Sequence, residues 1–378
     1  MKDSLLRLRH EMHRFPELSG KERQTARRIA GFLKPLKPDR LIEKLGGHGV
    51  MAVYDSGQPG PEVLFRADMD ALPIAELLDL EYRSVSAGVS HKCGHDGHSA
   101  ILAGLVAYIA GMRPQKGKVL LLFQPAEETG TGALAVLNDP LFAGFNPDYC
   151  FALHNLPGFE ENTIVVRNGT FAAASCGMVI KLKGRVSHAS EPEKGRSPAA
   201  VTAQLMGNLP RLAGNSTRNN YRDYILLTMI YTSMGAPAFG TTPGEAVLMA
   251  TLRANLDSDM QALSSAAGAM VKEQAEKSGL DYEISFTEEF PATMNHPDAV
   301  KILTSAAASL NLNIAEAGLP FRWSEDFAHF ALNRKAALFG IGAGLTHPSL
   351  HDPDYDFPDR LIPTGVSMWK AVYELLNR

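Results

Sequence analysis

His91-Lys92-Cys93-Gly94-His95-Asp96-Gly97-His98 places three histidines, a cysteine and an aspartate within eight residues. Cysteine and histidine are the donors that borderline-soft divalent metals prefer. Cys93 and His95 reach one centre if Gly94 lets the backbone turn tightly between them. Taken alone, the stretch also fits a polar loop with a chance cysteine. What favours a metal centre is the order of partners downstream: Glu127-Glu128, then His154, then His351.

Working outward, residues 50–54 and 63–67 are predicted strands separated by a Gly/Pro-rich turn. The second runs into Asp68-Met69-Asp70, and ligands of open α/β sheets gather at the carboxyl ends of strands. One of these two aspartates, Asp70, is expected to face the site. Residues 99–111 are apolar nearly all round and read as a buried helix. Residues 118–123 read as a fully buried strand of the parallel-sheet type, leading to Glu127-Glu128. Adjacent glutamates often mean no more than a solvated turn. Here one carboxylate can bind metal while its neighbour takes a proton from water. Residues 148–153 make another strand, ending at His154, the third strand end to deliver ligand-type residues. Before all this, residues 1–34 read as amphipathic helix broken at Pro16, with Ser19 and Glu22 as a capping box for the second part. His13 and Glu17 read as structural surface residues.

From about residue 176 the pattern changes. Strands at 177–184, 224–231, 246–254 and 282–286 alternate with helices at 197–212 and 258–277, the order βαββαβ. This fits a small antiparallel sheet with two helices on one face. The expected organisation is therefore α/β. A mostly parallel catalytic domain (1–174 and 291–378) is interrupted by an inserted α+β, ferredoxin-like domain (175–290). His188 lies just past the insert's first strand. In the tail, Glu325-Asp326 precedes a helix, and a strand at 336–342 leads to His347 and His351.

The chain has 378 residues, 45% hydrophobic and 21% charged, the balance of an ordinary globular protein. A net charge of −4 gives no footprint for nucleic acid. No apolar run approaches the ~20 residues that span a bilayer, and no signal-peptide apolar region follows Met1. Three cysteines are too few for a disulfide framework. No nucleic-acid or membrane partner is expected, and the cytoplasm is the expected location.

The segments 65–73, 91–98, 124–128, 152–154, 324–327 and 350–353, in that order, resemble the amidohydrolase branch of the aminoacylase/carboxypeptidase family of co-catalytic metallopeptidases. That branch includes hippurate hydrolases, N-acetyl-diaminopimelate deacetylases and plant hydrolases of indole-acetyl amino acids. The resemblance implies two divalent metal ions and an inserted lid that also forms a homodimer. It implies Cys93 as a bridging thiolate, with His95, Glu128, His154 and His351 as the other ligands. Glu127 resembles the general base, and Asp70 the carboxylate that orients the metal site. His188 resembles the histidine that polarises the scissile carbonyl, and Arg253 an anchor for the substrate carboxylate. Three departures stand out: Gly240-Thr241-Thr242-Pro243 where an Asn-Val-Ile-Pro is usual, Trp323 for a glycine, and Lys92 for a small residue. The implied reaction is metal-assisted hydrolysis of a small-molecule N-acyl amino acid, N-acetyl, N-benzoyl or similar. Zn²⁺, Mn²⁺, Co²⁺ and Ni²⁺ all suit the donors. A dipeptidase or N-carbamoyl amino-acid hydrolase would use the same residues. A catalytically silent metal-binding regulator is the non-enzymatic alternative, against which the retained Glu127 argues. No Gly-x-Ser-x-Gly elbow points to a serine hydrolase.

Overall fold

The continuously apolar runs lie in the middle of a sheet. In the computed structural model, which describes residues 2–214 and 221–378, the chain forms two compact units. One is Met1–Phe171 with Thr293–Pro320 and Glu325–Arg378; the other is Ala172–Ala292 with Phe321–Ser324. Along the chain the strands are β1 (Arg40–Leu45), β2 (Gly49–Asp55), β3 (Glu62–Asp68), β4 (Lys118–Gln124), β5 (Tyr149–Pro157), β6 (Ile164–Val166), β7 (Gly169–Ala172), β8 (Ala174–Lys183), β9 (Ile225–Met234), β10 (Glu245–Ala254), β11 (Asp281–Phe290), β12 (Thr293–Asn295), β13 (Ile314–Glu316) and β14 (Lys335–Gly344). The helices are α1 (Lys2–Arg14), α2 (Arg23–Leu33), α3 (His95–Gly111), α4 (Gly132–Asn138), α5 (Ala199–Asn208), α6 (Arg211–Gly214), α7 (Asp257–Lys277), α8 (Pro297–Ser309), α9 (Ala328–Ala331) and α10 (Ile362–Asn377).

In the first unit eight strands stand in the order β1-β2-β4-β3-β5-β14-β6-β13. β4, β3, β5 and β14 pair parallel and form the centre, where ligand-bearing strand ends collect. β2 joins β4 antiparallel, and β1 joins β2 the same way. Apolar residues of α1, α2, α3, α8 and α10 share one core with the sheet. Trp369 of α10 is buried edge-on against Phe65 of β3 at 5.2 Å and Phe339 of β14 at 5.1 Å.

The second unit is an antiparallel sheet in the order β11-β8-β10-β9. Met178, Ile180 and Leu182 alternate with outward residues along β8, and Leu248, Ala250 and Leu252 do so along β10. They share a core with Val201 and Leu205 of α5 and Leu263, Ala267 and Val271 of α7, so period-two strands meet helices on one face. The helix expected over 197–212 is two pieces, α5 and α6. Pro210 lies between them and supplies no N–H to a continuous ladder.

Other expectations need correction. β1 was not foreseen. Phe321–Ser324, read from sequence as part of the first domain, packs in the second unit: Ala173 N–H donates to the carbonyls of Phe321 (2.9 Å) and Trp323 (3.1 Å). Ser19 and Glu22 do not form a capping box on α2. Glu17 caps it instead, its Oε2 accepting the N–H groups of Gln24 (2.8 Å) and Thr25 (2.7 Å). His13 is wholly buried rather than on the surface, between Asp96 Oδ2 (2.9 Å) and Glu76 Oε2 (2.7 Å). Among the described residues, no helix is long and apolar enough to cross a membrane.

Because Trp369 fills the contact between α10 and the parallel strands, Trp369→Ala should destabilise the protein by about 3–5 kcal/mol. Denaturant unfolding measures this; a loss below about 1 kcal/mol would mean the core does not depend on that ring.

Candidate metal centre

β3, β4 and β5 deliver the site residues, and α3 begins inside it. Gly94 precedes α3 with φ of 98°. A Cβ there would lie 2.3 Å from Asn155 Oδ1 and 2.7 Å from the Tyr355 hydroxyl, so only glycine fits the turn between Cys93 and His95. His154 lies within β5 rather than at its end.

Two triads of donor atoms share the Cys93 sulfur. In Cys93, His95 and His154 all three lie within 4.8 Å of one another, and the same holds for Cys93, Glu128 and His351. His154 Nε2 is 3.3 Å from Cys93 Sγ, and its Nδ1 donates to the Asn155 carbonyl at 2.8 Å. His95 Nδ1 donates to the Asp70 carbonyl at 3.0 Å. A carbonyl only accepts, so each ring carries a proton on Nδ1 and turns Nε2 to the cluster, the nitrogen that a metal-binding imidazole offers. His351 comes from the loop after β14 with φ of 67°, and its Nε2 is 3.7 Å from Glu128 Oε2. Its N–H is fixed by the Lys92 carbonyl at 2.7 Å. Lys92 itself turns away: its buried Nζ sits on Glu76 and on the Tyr355 carbonyl (2.7 Å), which explains why a long residue is tolerated there.

Asp70 and Asp68 both reach His95, Asp70 Oδ1 at 3.3 Å from Nδ1 and Asp68 Oδ2 at 3.8 Å from Nε2. The expectation that only Asp70 faces the site is thus corrected; residues two apart on an extended strand share a face. Glu127 is buried next to Glu128, and its Oε1 accepts the Asp326 N–H at 3.3 Å. Burial, then Glu325, Glu128 and Asp326, push the Glu127 carboxyl well above the ordinary range. Burial, opposed by His95 and reinforced by Asp70 and Asp68, pushes Glu128 up to about 8. Burial opposes charge on His95, but Asp68, Cys93 and Asp70 outweigh it and hold the imidazole well above its usual value. So many buried acidic groups around one ring call for more positive charge. His95 Nε2 and Glu128 Oε1 are buried without a hydrogen-bond partner, as donors reserved for a cation would be. The donor set therefore fits divalent metal.

His188 and Arg253 belong to the second unit. His188 is exposed, its Nδ1 2.7 Å from Ser190 Oγ, and its backbone bridges to Thr241 in the departing 240–243 segment. Arg253 Nη1 donates to the Arg322 carbonyl at 2.8 Å and to Ser324 Oγ at 3.2 Å. Trp323 stacks on Phe321, ring centroids 5.2 Å apart. Sequence reasoning placed Arg66, Glu325 and Asp326 in the segments that carry the resemblance but gave none of them a role at the site. The one legible signal was a lone arginine in an otherwise apolar strand.

A cation-seeking cluster of carboxylates, thiol and imidazoles sits at parallel strand ends, and the family that the chain matches makes it the centre of a metal-dependent hydrolase of amide bonds. The chain belongs to the peptidase family M20/M25/M40, whose model matches residues 64–375. It is 31% identical over 366 residues to a hippurate hydrolase of Campylobacter jejuni, covering 96% of this chain and 94% of that protein. It is 30% identical over 382 residues to a hydrolase of Staphylococcus aureus strain USA300, covering 98% and 96%. Two solved structures share the fold. The Bacillus subtilis YXEP protein, described as a dinuclear metal-binding peptidase, has a TM-score of 0.82 at 24% identity over 98% of this chain and 96% of that one. An aminobenzoyl-glutamate utilization protein from Klebsiella pneumoniae has a TM-score of 0.75 at 21% identity over 98% and 95%.

The crowded carboxyls predict a pH effect on metal-stripped protein. Glu127, Glu128 and His95 have folded pKa values above their unfolded ones, so above about pH 6.5 the folded state holds more protons and loses stability as pH rises. With chelator, the melting temperature should fall between about pH 6.5 and about pH 8, and fall less in excess Mn²⁺ or Zn²⁺. An equal slope with and without metal would detach these groups from the metal site.

Proposed function

We propose that the chain hydrolyses the amide bond of an N-acyl amino acid, N-acetyl, N-benzoyl or similar, giving the carboxylic acid and the free amino acid. The observation that carries this reading is Glu127, a buried carboxylate beside the two triads that share Cys93. Cys93, His95 and His154 would hold one divalent ion, and Cys93, Glu128 and His351 a second. Bound there, the two ions supply Lewis acidity toward the acyl carbonyl and make water more acidic.

The chain's own residues do the rest. Glu127 accepts the proton of the attacking water at a carboxylate oxygen and hands it to the leaving nitrogen, so that one water is consumed per bond broken. The Asp326 N–H holds Oε1, while Oε2 lies on the His95 side, 3.9 Å from its Nε2. Asp70 fixes the His95 ring through Nδ1. His188 is assigned to the developing oxyanion, where one donor is typically worth roughly 10²–10³ in rate. Arg253 is assigned to the substrate carboxylate. Residues 175–290 are assigned the roles of lid and homodimer contact, with the remainder catalytic. The 31% identity to a hippurate hydrolase across nearly the whole chain supports an N-acyl amino acid over a longer peptide.

The test is amine release from N-acetyl, N-benzoyl and N-carbamoyl amino acids and from dipeptides. Metal-stripped protein and protein reloaded with Zn²⁺, Mn²⁺, Co²⁺ or Ni²⁺ are compared. Release should require metal, and Glu127→Gln should lower kcat by about 10²–10⁴ while about two ions per chain remain bound. Turnover by Glu127→Gln at the parent rate would remove Glu127 as base. Cleavage confined to dipeptides or carbamoyl compounds would reassign the substrate.

A further inference from the structure

Ala126 stands immediately before Glu127-Glu128 with φ of 53°, the left-handed region that a residue carrying a Cβ avoids. Its carbonyl accepts the N–H groups of Thr131 (3.3 Å) and Gly132 (3.1 Å), closing a tight turn. Gly132 is required for that closure, since a Cβ there would lie 1.7 Å from the Pro125 carbonyl oxygen. The Ala126 N–H donates to Glu22 Oε1 at 2.8 Å. Glu22 is wholly buried, and the same oxygen accepts the Gly20 N–H at 2.9 Å.

A carboxylate at the start of a helix is ordinarily read as a cap. Glu22 makes no side-chain capping bond to α2, and Glu17 performs that task. The Glu22 side chain crosses instead to the turn bearing the acidic pair. Three residues earlier, Ser19 Oγ donates to Asp70 Oδ2 at 2.7 Å, and the same oxygen accepts the Glu128 N–H at 3.0 Å. Segment 19–22 thus reaches the backbone on both sides of Glu127, directly at Ala126 and through Asp70 at Glu128. It lies before residue 64, where the family match begins.

We infer that Glu22 is a positioning residue: its carboxylate holds Ala126 in the left-handed turn that aims Glu127 and Glu128 at their separate tasks. The inference rests on the reading of Glu127 as base and Glu128 as metal ligand. Without the Glu22 acceptor the turn has a disfavoured φ and a buried N–H with no partner, so alternative conformers gain population. Small displacements of a catalytic group carry large rate penalties. KM, set elsewhere, should move little.

The test uses the full-length, metal-loaded enzyme and reads kcat, KM, melting temperature and bound metal for Glu22→Ala, Glu22→Gln, the double variant Glu22→Ala/Ala126→Gly, and Glu127→Gln. Glu22→Ala should lower kcat about tenfold or more with KM within about twofold. Glu22→Gln keeps an oxygen for the Ala126 N–H and should retain most of the rate. Glycine accepts positive φ freely, so the double variant should turn over several-fold faster than Glu22→Ala. A kcat for Glu22→Ala within about twofold of the parent would overturn the inference, as would a double variant no faster than the single one. Should Glu22→Ala fail to fold, Ala126→Val replaces it. A β-branched residue resists left-handed φ, so kcat should fall about tenfold below that of Ala126→Gly, and equal rates would overturn the inference. An active Glu127→Gln would instead remove the base assignment itself, so the two failures are separable.

Discussion

Arg66 is a guanidinium without solvent exposure in the interior of β3, and three carboxylates and an amide close around it. Nη1 donates to Asp68 at 2.7 Å, Nη2 to Glu325 and Asp326 at 2.8 Å each, and Nε to Gln124 at 2.8 Å. A charge this deep is tolerable only when every donor is answered, and losing one partner typically costs about 3–5 kcal/mol. The requirement binds together parts of the chain with no reason of their own to meet. Glu325 and Asp326, more than 250 residues from Arg66, are drawn to the ends of β3 and β4. Once there, Asp326 accepts the Ala133 N–H in α4 at 2.8 Å and turns its own N–H to Glu127. The acid-base end of the site therefore hangs from one buried cation.

That dependence marks the limit of what sequence conveys. The central strands were legible because unbroken apolar runs such as the five residues 119–123 of β4 are long enough to stand out. The second unit was legible because its strands alternate and α7 is long, whereas the α5–α6 break at Pro210 was not foreseen. The Cys-His stretch and its downstream partners gave the donor set before any geometry. β1 was lost because Arg40–Leu45 carries three charges in six residues and breaks register near Leu45. β6, β7, β12 and β13, at three or four residues, offer no period to detect.

The polar misreadings share a cause. His13 looks like an exposed position of an amphipathic helix, and nothing local reveals that Asp96 and Glu76 surround it. Ser19 and Glu22 have the spacing of a capping box, and that spacing is the same whether the side chains close on the helix or reach to Asp70 and Ala126. A hydrogen bond's partner is a tertiary fact, whereas burial of an apolar side chain announces itself in the pattern.

Two residues with a Cβ bracket Glu128 in space, both in left-handed conformation: Ala126 at φ 53° and His351 at φ 67°. Such conformations cost of order 1–3 kcal/mol each and persist only where the surroundings over-determine them. Both are held by their own N–H, Ala126 on the Glu22 carboxylate and His351 on the Lys92 carbonyl. The Lys92 carbonyl belongs to the peptide that joins Lys92 to Cys93, so the backbone that presents the shared sulfur also fixes the last ring of its triad. On the opposite side, Asp70 takes the Glu128 N–H on one oxygen and faces His95 with the other. Donors of both triads are thus referred to the same few backbone groups. A cluster that repels itself when bare keeps its shape because the main chain, more than the side chains, fixes where each donor points.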